Sequence, residues 1–320
     1  GQDGVDGQDG TDGQDMTECL VGDGSISDNY VIEYCGDYVS IAAQDLQWKL
    51  VGQFQSAPAG CDMGEDECEG YAEVPAYDAT TERAFVVNAV ASSVDIIDLS
   101  SPHTPTLFNQ LVIAEGEPNS VAVSSKGLVG VAVARDTKQD NGLAMFFDAA
   151  GNLVAQVTAG PLPDMIAFTH DGTKAIIANE GEPSSDYSVD PEGTITVVDV
   201  SGIDLGDSTT FTNISATQVG FSSFNDQEEA LKTAGVRIFG PNATVAQDLE
   251  PEYIAVAADD LTATVVLQEN NAVATLNLTT NTIDAVHALG FKDYAGLSFD
   301  YSDKDDGVNW QPDLGVNVKG

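Results

Sequence analysis

Between Asn179 and Gly193 the chain reads NEGEPSSDYSVDPEG, which places Glu180, Glu182, Asp186, Asp190 and Glu192 in one loop stiffened by Pro183 and Pro191. A second run, DYSDKDDG, sets Asp300, Asp303, Asp305 and Asp306 ahead of Gly307. Carboxylates this close repel one another and hold their protons unless a cation sits among them. Hard oxygen donors without His or Cys suit Ca²⁺ first and Mg²⁺ second, ahead of the transition metals. Alternating Asp before a Gly turn resembles a Ca²⁺ loop, although the bidentate Glu of an EF-hand and its flanking helices are missing. The plainer reading is a solvated acidic surface, because a chain this acidic clusters carboxylates by chance.

Two further sets recur at fixed places in a repeat. Glu73, Asn119, Asp164 and Glu252 stand where strands begin, the last three directly after a proline. Later in each repeat come Asn88, then Asn179-Glu180, then Gln268-Glu269. In a propeller the first set would ring one mouth of the central channel. The alternative is that these side chains cap strand ends and hydrogen-bond loop amides. Catalytic motifs are scarce. His103, His170 and His287 are scattered, and no G-x-S-x-G elbow occurs, so no acyl-transfer triad assembles by motif. Two-metal phosphatases usually recruit His as well as Asp, which leaves a carboxylate-only metal site as the route to such an activity.

The elements that would position these residues come from the repeat itself. Four segments align: AEVPAYDATTERAFVVNAVASSVDIIDL from Ala72, PNSVAVSSKGLVGVAVARDTKQDNGLAMFFD from Pro118, PDMIAFTHDGTKAIIANEGEPSSDYSVDPEGTITVVDV from Pro163, and PEYIAVAADDLTATVVLQENNAVATLNL from Pro251. Each has an alternating apolar strand, a polar turn, a β-branched strand, a polar loop and a third strand. The first three begin about 45 residues apart, the length of a propeller blade. The expected fold is all-β: a β-propeller with four recognisable blades, part of a larger ring, spanning 46–320. An insertion over 201–250 carries one helix, NDQEEALKTAG, capped by Asn225 and stopped by Gly235, and expected to pack on one mouth. The segment LQWKLVGQF from Leu46 reads as the outer strand of a blade completed elsewhere, by a C-terminal segment or another chain.

Charge bounds the partners. With 52 Asp and Glu against 11 Lys and Arg the net charge is −41. Nucleic acid is excluded electrostatically, and anionic membrane surfaces are disfavoured. No apolar run reaches the length of a membrane span. A hydrophobic fraction of 42% excludes bulk disorder. What fits is a chain that attracts cations, lives in marine or saline surroundings, or must stay soluble where proteins crowd.

Residues 1–15 are five Gly-X-Asp triplets with no proline. Gly at every third position is the collagen rule, but the Asp ladder repels itself, so a solvated tether competes with a trimerising stalk. Over 16–45, Cys19 and Cys35 bracket two short strands around a Gly-Asp-Gly turn; Cys61 and Cys68 bracket CDMGEDEC. These read as two local disulfides, Cys19–Cys35 and Cys61–Cys68, formed in an oxidising compartment. Zinc fails on spacing, since no C-x2-C pair exists. The start at Gly1 reads as a mature, processed end of an extracellular or cell-surface protein.

The strings PDMIAFTHDGTKAIIANEGEPSSDYSVDPEGTITVVDV, LKTAGVRIFGPNATVAQDLEPEYIAV and LQENNAVATLNL…LGFKD closely resemble the choice-of-anchor I proteins. These are secreted bacterial β-propeller proteins related to the mesenchyme-specific cell-surface glycoproteins of biomineralising animals. The resemblance runs from about Leu46 to Asn309 and implies a secreted or surface-anchored propeller. Some members carry alkaline-phosphatase or esterase labels, and the animal relatives are linked to calcium carbonate deposition. This chain departs in its CDMGEDEC insertion and in lacking the family's C-terminal half.

Three functions follow. The first is a calcium-binding surface protein with a structural, adhesive or filament- and matrix-assembly role, able to self-assemble. The second is a metal-dependent extracellular phosphatase or phosphodiesterase. The third is a propeller that binds a sugar or peptide at the channel mouth.

Overall fold

A computed structural model describes residues 30–35, 38–43, 50–56, 70–293, 298 and 317–318, with side chains described for 50–56, 70–291 and 298. The chain divides into two compact units, 1–51 and 52–320. In the first, β1 (Tyr30–Cys35) pairs antiparallel with β2 (Tyr38–Ala43), in a register that sets Cys35 opposite Tyr38. The strand leading into Cys35 therefore finds its partner after the cysteine, with only Gly36 and Asp37 between. Tyr, Val and Ile on both strands suit a paired, pleated surface. The Gly-X-Asp triplets and the Gly-Asp-Gly turn lie outside the described residues. So do Cys19, Cys61, Cys68 and the side chain of Cys35, and with them both expected disulfides.

The second unit holds four four-stranded antiparallel sheets, each strand pairing with the next in chain order. The first is β3 (Pro75–Asp78), β4 (Arg83–Asn88), β5 (Ser93–Asp98) and β6 (Thr106–Val112). The second is β7 (Glu117–Val123), β8 (Val129–Ala134), β9 (Asn141–Phe147) and β10 (Leu153–Pro161). The third is β11 (Pro163–Phe168), β12 (Lys174–Asn179), β13 (Thr194–Asp199) and β14 (Ser215–Gly220). The fourth is β15 (Ile254–Val256), β16 (Thr262–Leu267), β17 (Ala272–Asn277) and β18 (Thr282–Ala288). A short ladder of β19 (Lys292–Asp293) and β20 (Asn317–Val318) follows. All four aligned repeats are sheets, and the architecture is all-β and propeller-like.

Consecutive sheets pack face to face: β7 lies against β3 and β4, β11 against β7 and β8, and β15 against β11 and β12. Side chains alternate along a strand, so a sheet between two others must be apolar on both faces. β8 and β12 show it. Val129, Val131 and Val133 join a core with the first sheet, while Leu128 and Ala132 join a core with the third. Ala175 and Ile177 face the second sheet, while Ile176 and Ala178 face the fourth.

The turns joining the first two strands of the second and third sheets use Gly127 and Gly172 at positive φ; in the fourth sheet the equivalent residue is Asp260, φ 58°. Its carboxylate accepts hydrogen bonds from the backbone N–H groups of His170 (2.8 Å) and Asp171 (3.0 Å), tying the third sheet to the fourth. Asp tolerates the left-handed region better than most residues, and this bond gives it a reason to be there.

The expected insertion over 201–250 is narrower than its sequence suggests. Ser215–Gly220 is β14, the outer strand of the third sheet, so the segment between sheets is 221–253. It opens with a 3₁₀ turn, Ser222–Gln227, that runs into α1 (Glu228–Ala234). Gly235 stops α1 at φ 108°, as its sequence position implies. Asn225 does not cap it. The preceding turn is 3₁₀, so the helix starts later, and the Asn225 side chain instead accepts from the Ala246 N–H (2.9 Å). A second short helix, α2 (Val245–Asp248), is closed by a Thr244–Gln247 capping box. Phe221, Leu231, Val236, Val245 and Leu249 join the core between the third and fourth sheets. Helix α1 lies against β18, and α2 against the start of β13 through the Gly193 N–H bond to Ala246 O. Residues 50–56 form no strand, so this part of the expected outer strand from Leu46 is absent. Among the described residues no helix is long and apolar enough to cross a membrane.

Candidate functional site

The strand-start set occupies one equivalent position in all four sheets. Glu73 and Glu252 donate their backbone N–H to Val87 O (3.1 Å) and Val266 O (3.0 Å) just before β3 and β15. Asn119 and Asp164 sit at register shifts, between Pro118 and Ser120 in β7 and between Pro163 and Met165 in β11. A bulge leaves one residue out of the ladder and re-aims its side chain. Asn119 uses its freedom structurally, donating from Nδ2 to Pro163 O (3.0 Å) across to the third sheet. Glu73 is exposed, whereas Asp164 and Glu252 are half-buried.

A concentration of charge forms where the third and fourth sheets meet. Glu180 follows the last residue of β12, and its backbone N–H is held by Leu162 O. Its carboxyl is pushed up to about 8, first by burial and then by Asp164, Glu250, Glu252 and Glu182. Glu250 is pushed up to about 7, first by burial and then by Glu269, Asp248, Glu182 and Glu252. Glu252 is raised by burial, Asp164 and Glu269; Asp164 is raised by burial. Two cations stand at the margin: Lys138 Nζ is 3.0 Å from Glu182, and Arg237 is 4.0 Å from Glu269.

The five carboxylates of the acidic loop do not converge. Glu180 and Glu182 reach this cluster. Asp186 is consumed locally: Ser188, through its side chain and its backbone N–H (3.0 Å), and then Ser184 Oγ (2.9 Å) hold its carboxyl down at about 2. Asp190 faces the insertion: its carbonyl accepts from Gln247 Nε2 (2.7 Å), and burial and Asp248 raise its carboxyl. Glu192 is exposed. Asp300, Asp303, Asp305 and Asp306 lie outside the described residues. Among the described residues, no three His, Cys, Asp or Glu side chains lie close enough to hold one metal ion as placed.

Sequence reasoning missed Glu250. The signal was the flanking of Pro251 by two glutamates, Glu250 and Glu252. What fixes Glu250 is remote: its N–H is held by Asn270 Oδ1 (3.0 Å), and Asn270 also binds Arg237 O. The later amides of the repeat are structural. Asn88 and Asn179 are buried and cross-link strands: Asn88 Nδ2 to Asp95 (3.2 Å), and Asn179 Nδ2 to Thr196 Oγ1 (2.9 Å). Among the histidines, His170 pairs with Asp260 at 2.7 Å on the turn before β12, at the opposite end of that strand from Glu180.

A search of curated proteins gives no match. Among solved structures, the chain is similar to a chain of Kuenenia stuttgartiensis hydrazine synthase, at 12% identity and TM-score 0.39, over 65% of this chain and 64% of that one. It is also similar to a chain of a nidogen/laminin complex, at 9% identity and TM-score 0.39, over 68% of this chain and 63% of that one. Both matches span less than two thirds of those chains. The family model described as the choice-of-anchor I domain matches residues 73–319, from the first strand-start glutamate through all four sheets. That domain is typical of secreted or cell-surface bacterial proteins. By this match the chain belongs to the choice-of-anchor I family.

Proposed function

We propose that the protein is a secreted or cell-surface structural protein, adhesive or assembling, whose fold is tightened by Ca²⁺ at the junction of the third and fourth sheets. The carrying observation is Glu180. It is half-buried, and the charges that raise its pKa are the carboxylates of Asp164, Glu250, Glu252 and Glu182, with Lys138 the one cation near it among the described residues. Its proton is held to about pH 8. A divalent cation replaces such a proton with more charge and bridges oxygens from both sheets. Asp164 and Glu180 come from the third sheet, and Glu250 and Glu252 from the segment leading into the fourth. Binding would require these carboxylates to turn from their present placement, in which no three lie close enough to share an ion. Asp300, Asp303, Asp305 and Asp306 would form a second, independent loop. With Ca²⁺ favoured over Mg²⁺ by flexible, all-oxygen coordination, the ion would cross-brace the two sheets and would not activate a nucleophile.

The test is thermal unfolding in chelator, in Ca²⁺ and in Mg²⁺. Saturation at 100 times the dissociation constant adds about 2.7 kcal/mol, a rise of several degrees in midpoint. A Ca²⁺-selective rise that disappears in a Glu180→Gln, Glu250→Gln double variant supports the reading. A midpoint unmoved by Ca²⁺ in the unaltered protein removes it.

A further inference from the structure

A cavity of about 340 Å³ opens between the second and third sheets, at the end of β12 remote from Glu180. Three pieces of chain build it: the β7–β8 turn, the β11–β12 turn, and the stretch between β13 and β14. Its size lies at the lower end of small-ligand sites, ~300–1,000 Å³. The floor is aliphatic. Leu128 and Val200 are each 3% exposed and belong to the core shared by these two sheets, and half-buried Ile203 and Leu205 pack against that core.

Two opposite charges stand in the wall, each fixed by its own turn. Ser124 holds the β7–β8 turn, its Oγ accepting from the backbone N–H groups of Lys126 (3.3 Å) and Leu128 (3.0 Å). Lys126 then lays its stem beside Gly172, where an added Cβ would lie 3.3 Å from its Cγ. Gly172 sits at φ 64°, so glycine both makes the turn and leaves the lysine room. Among the described residues the Lys126 ammonium makes no ion pair. It does help to hold the Asp171 carboxyl down, after Thr169 and Thr173. Across the cavity, Asp204 donates its backbone N–H to Thr210 Oγ1 (2.8 Å) and accepts from the Gly206 N–H (2.9 Å) through Oδ1. Its other carboxylate oxygen accepts no hydrogen bond among the described residues. One cavity thus offers an ammonium and a carboxylate that do not pair with each other, above an apolar floor.

We infer that this cavity binds a small aliphatic zwitterion, an α-amino acid of leucine's class. Its side chain lies on the floor, its carboxylate meets Lys126, and its ammonium meets the second oxygen of Asp204. Charge selects this class. A plain aliphatic anion would meet a single ammonium on a chain of net charge −41. A plain cation would find denser carboxylates where the third and fourth sheets meet. A net-neutral dipole with an apolar body is neither repelled nor drawn elsewhere, and it uses both wall charges and the floor. The site is separate from the carboxylate junction and independent of its cation chemistry.

Calorimetry and saturation-transfer NMR test the inference, with L-leucine, leucinamide and 4-methylpentanoate as probes. All are run in chelator, so that the result does not depend on calcium. L-Leucine is expected to bind with a Kd of about 1 mM or tighter. Leucinamide lacks the carboxylate and 4-methylpentanoate lacks the ammonium, so each binds at least ~10-fold more weakly, through loss of one charge-assisted bond. Lys126→Met keeps the stem; it weakens leucine at least ~10-fold and leaves leucinamide unchanged. Asp204→Asn keeps the acceptor for the Gly206 N–H; it weakens leucine and leaves 4-methylpentanoate unchanged. Absence of leucine binding at about 10 mM overturns the inference. So does leucinamide binding as tightly as leucine, or leucine binding indifferent to Lys126→Met. Both variants should melt with the unaltered protein; if one melts lower, the three probes on the unaltered protein decide the matter.

Discussion

Two carboxylate sites in this molecule are handled in opposite ways. In the first sheet Asp95 is 3% exposed, and both of its oxygens are used. Asn88 Nδ2 donates to one at 3.2 Å and Gln110 Nε2 to the other at 2.8 Å. Glu180 is less buried, yet its carboxyl meets other carboxylates in place of amide donors. Burial alone therefore does not decide what an acid does; the donors within reach do. One site is closed and makes a sheet rigid. The other is left electrostatically open, as the proposed cation site requires.

The contrast can be broken most severely at Asp95. Asp95→Leu strands the buried Asn88 amide and takes the partner from exposed Gln110, and should cost about 1–3 kcal/mol in urea unfolding. Next comes pH. Glu180 and Glu250 have folded values above the ordinary carboxylate range, at about 8 and about 7. The folded state then binds more protons than the unfolded one, so in chelator stability falls as pH rises from about 4.5 to about 8. Glu180→Gln should flatten that slope. Because Ca²⁺ competes with those protons, its midpoint shift should be larger at pH 8.5 than at pH 6. A smaller effect is expected for Asn119→Ala, which deletes the bond to Pro163 O and should cost about 1 kcal/mol in the same unfolding assay. The smallest is Asp186→Asn. Its carboxylate is already committed to Ser184 and Ser188, so the Ca²⁺ response should not change, as a thermal titration would show.

The repeat was legible in the sequence because the inner strands of stacked sheets are apolar on both faces and their turns recur. The strand-start position was legible because a proline precedes it in three of four sheets. β14 was not. Its sequence, SATQVG, belongs to an exposed outer strand and lacks the alternation that marks a half-buried one. The spread of the acidic loop was hidden for another reason. Whether Asp186 points to the cluster or folds back depends on Ser184 and Ser188 two residues away, a local competition that carboxylate counting ignores. Glu250 left only the faint mark of its place before Pro251, because what fixes it is Asn270, held in turn by Arg237 of the 221–253 segment.

The bulges at Asn119 and Asp164 bear on how this surface can change. A bulged residue is released from the ladder, so its identity is uncoupled from the register that fixes its neighbours. The four equivalent positions already hold Glu, Asn, Asp and Glu on a nearly constant frame. Each sheet thus offers a socket whose content can be exchanged without rebuilding the scaffold, by inheritance or by an engineer. Writing His or Cys into these sockets would give the same frame softer ligands to present.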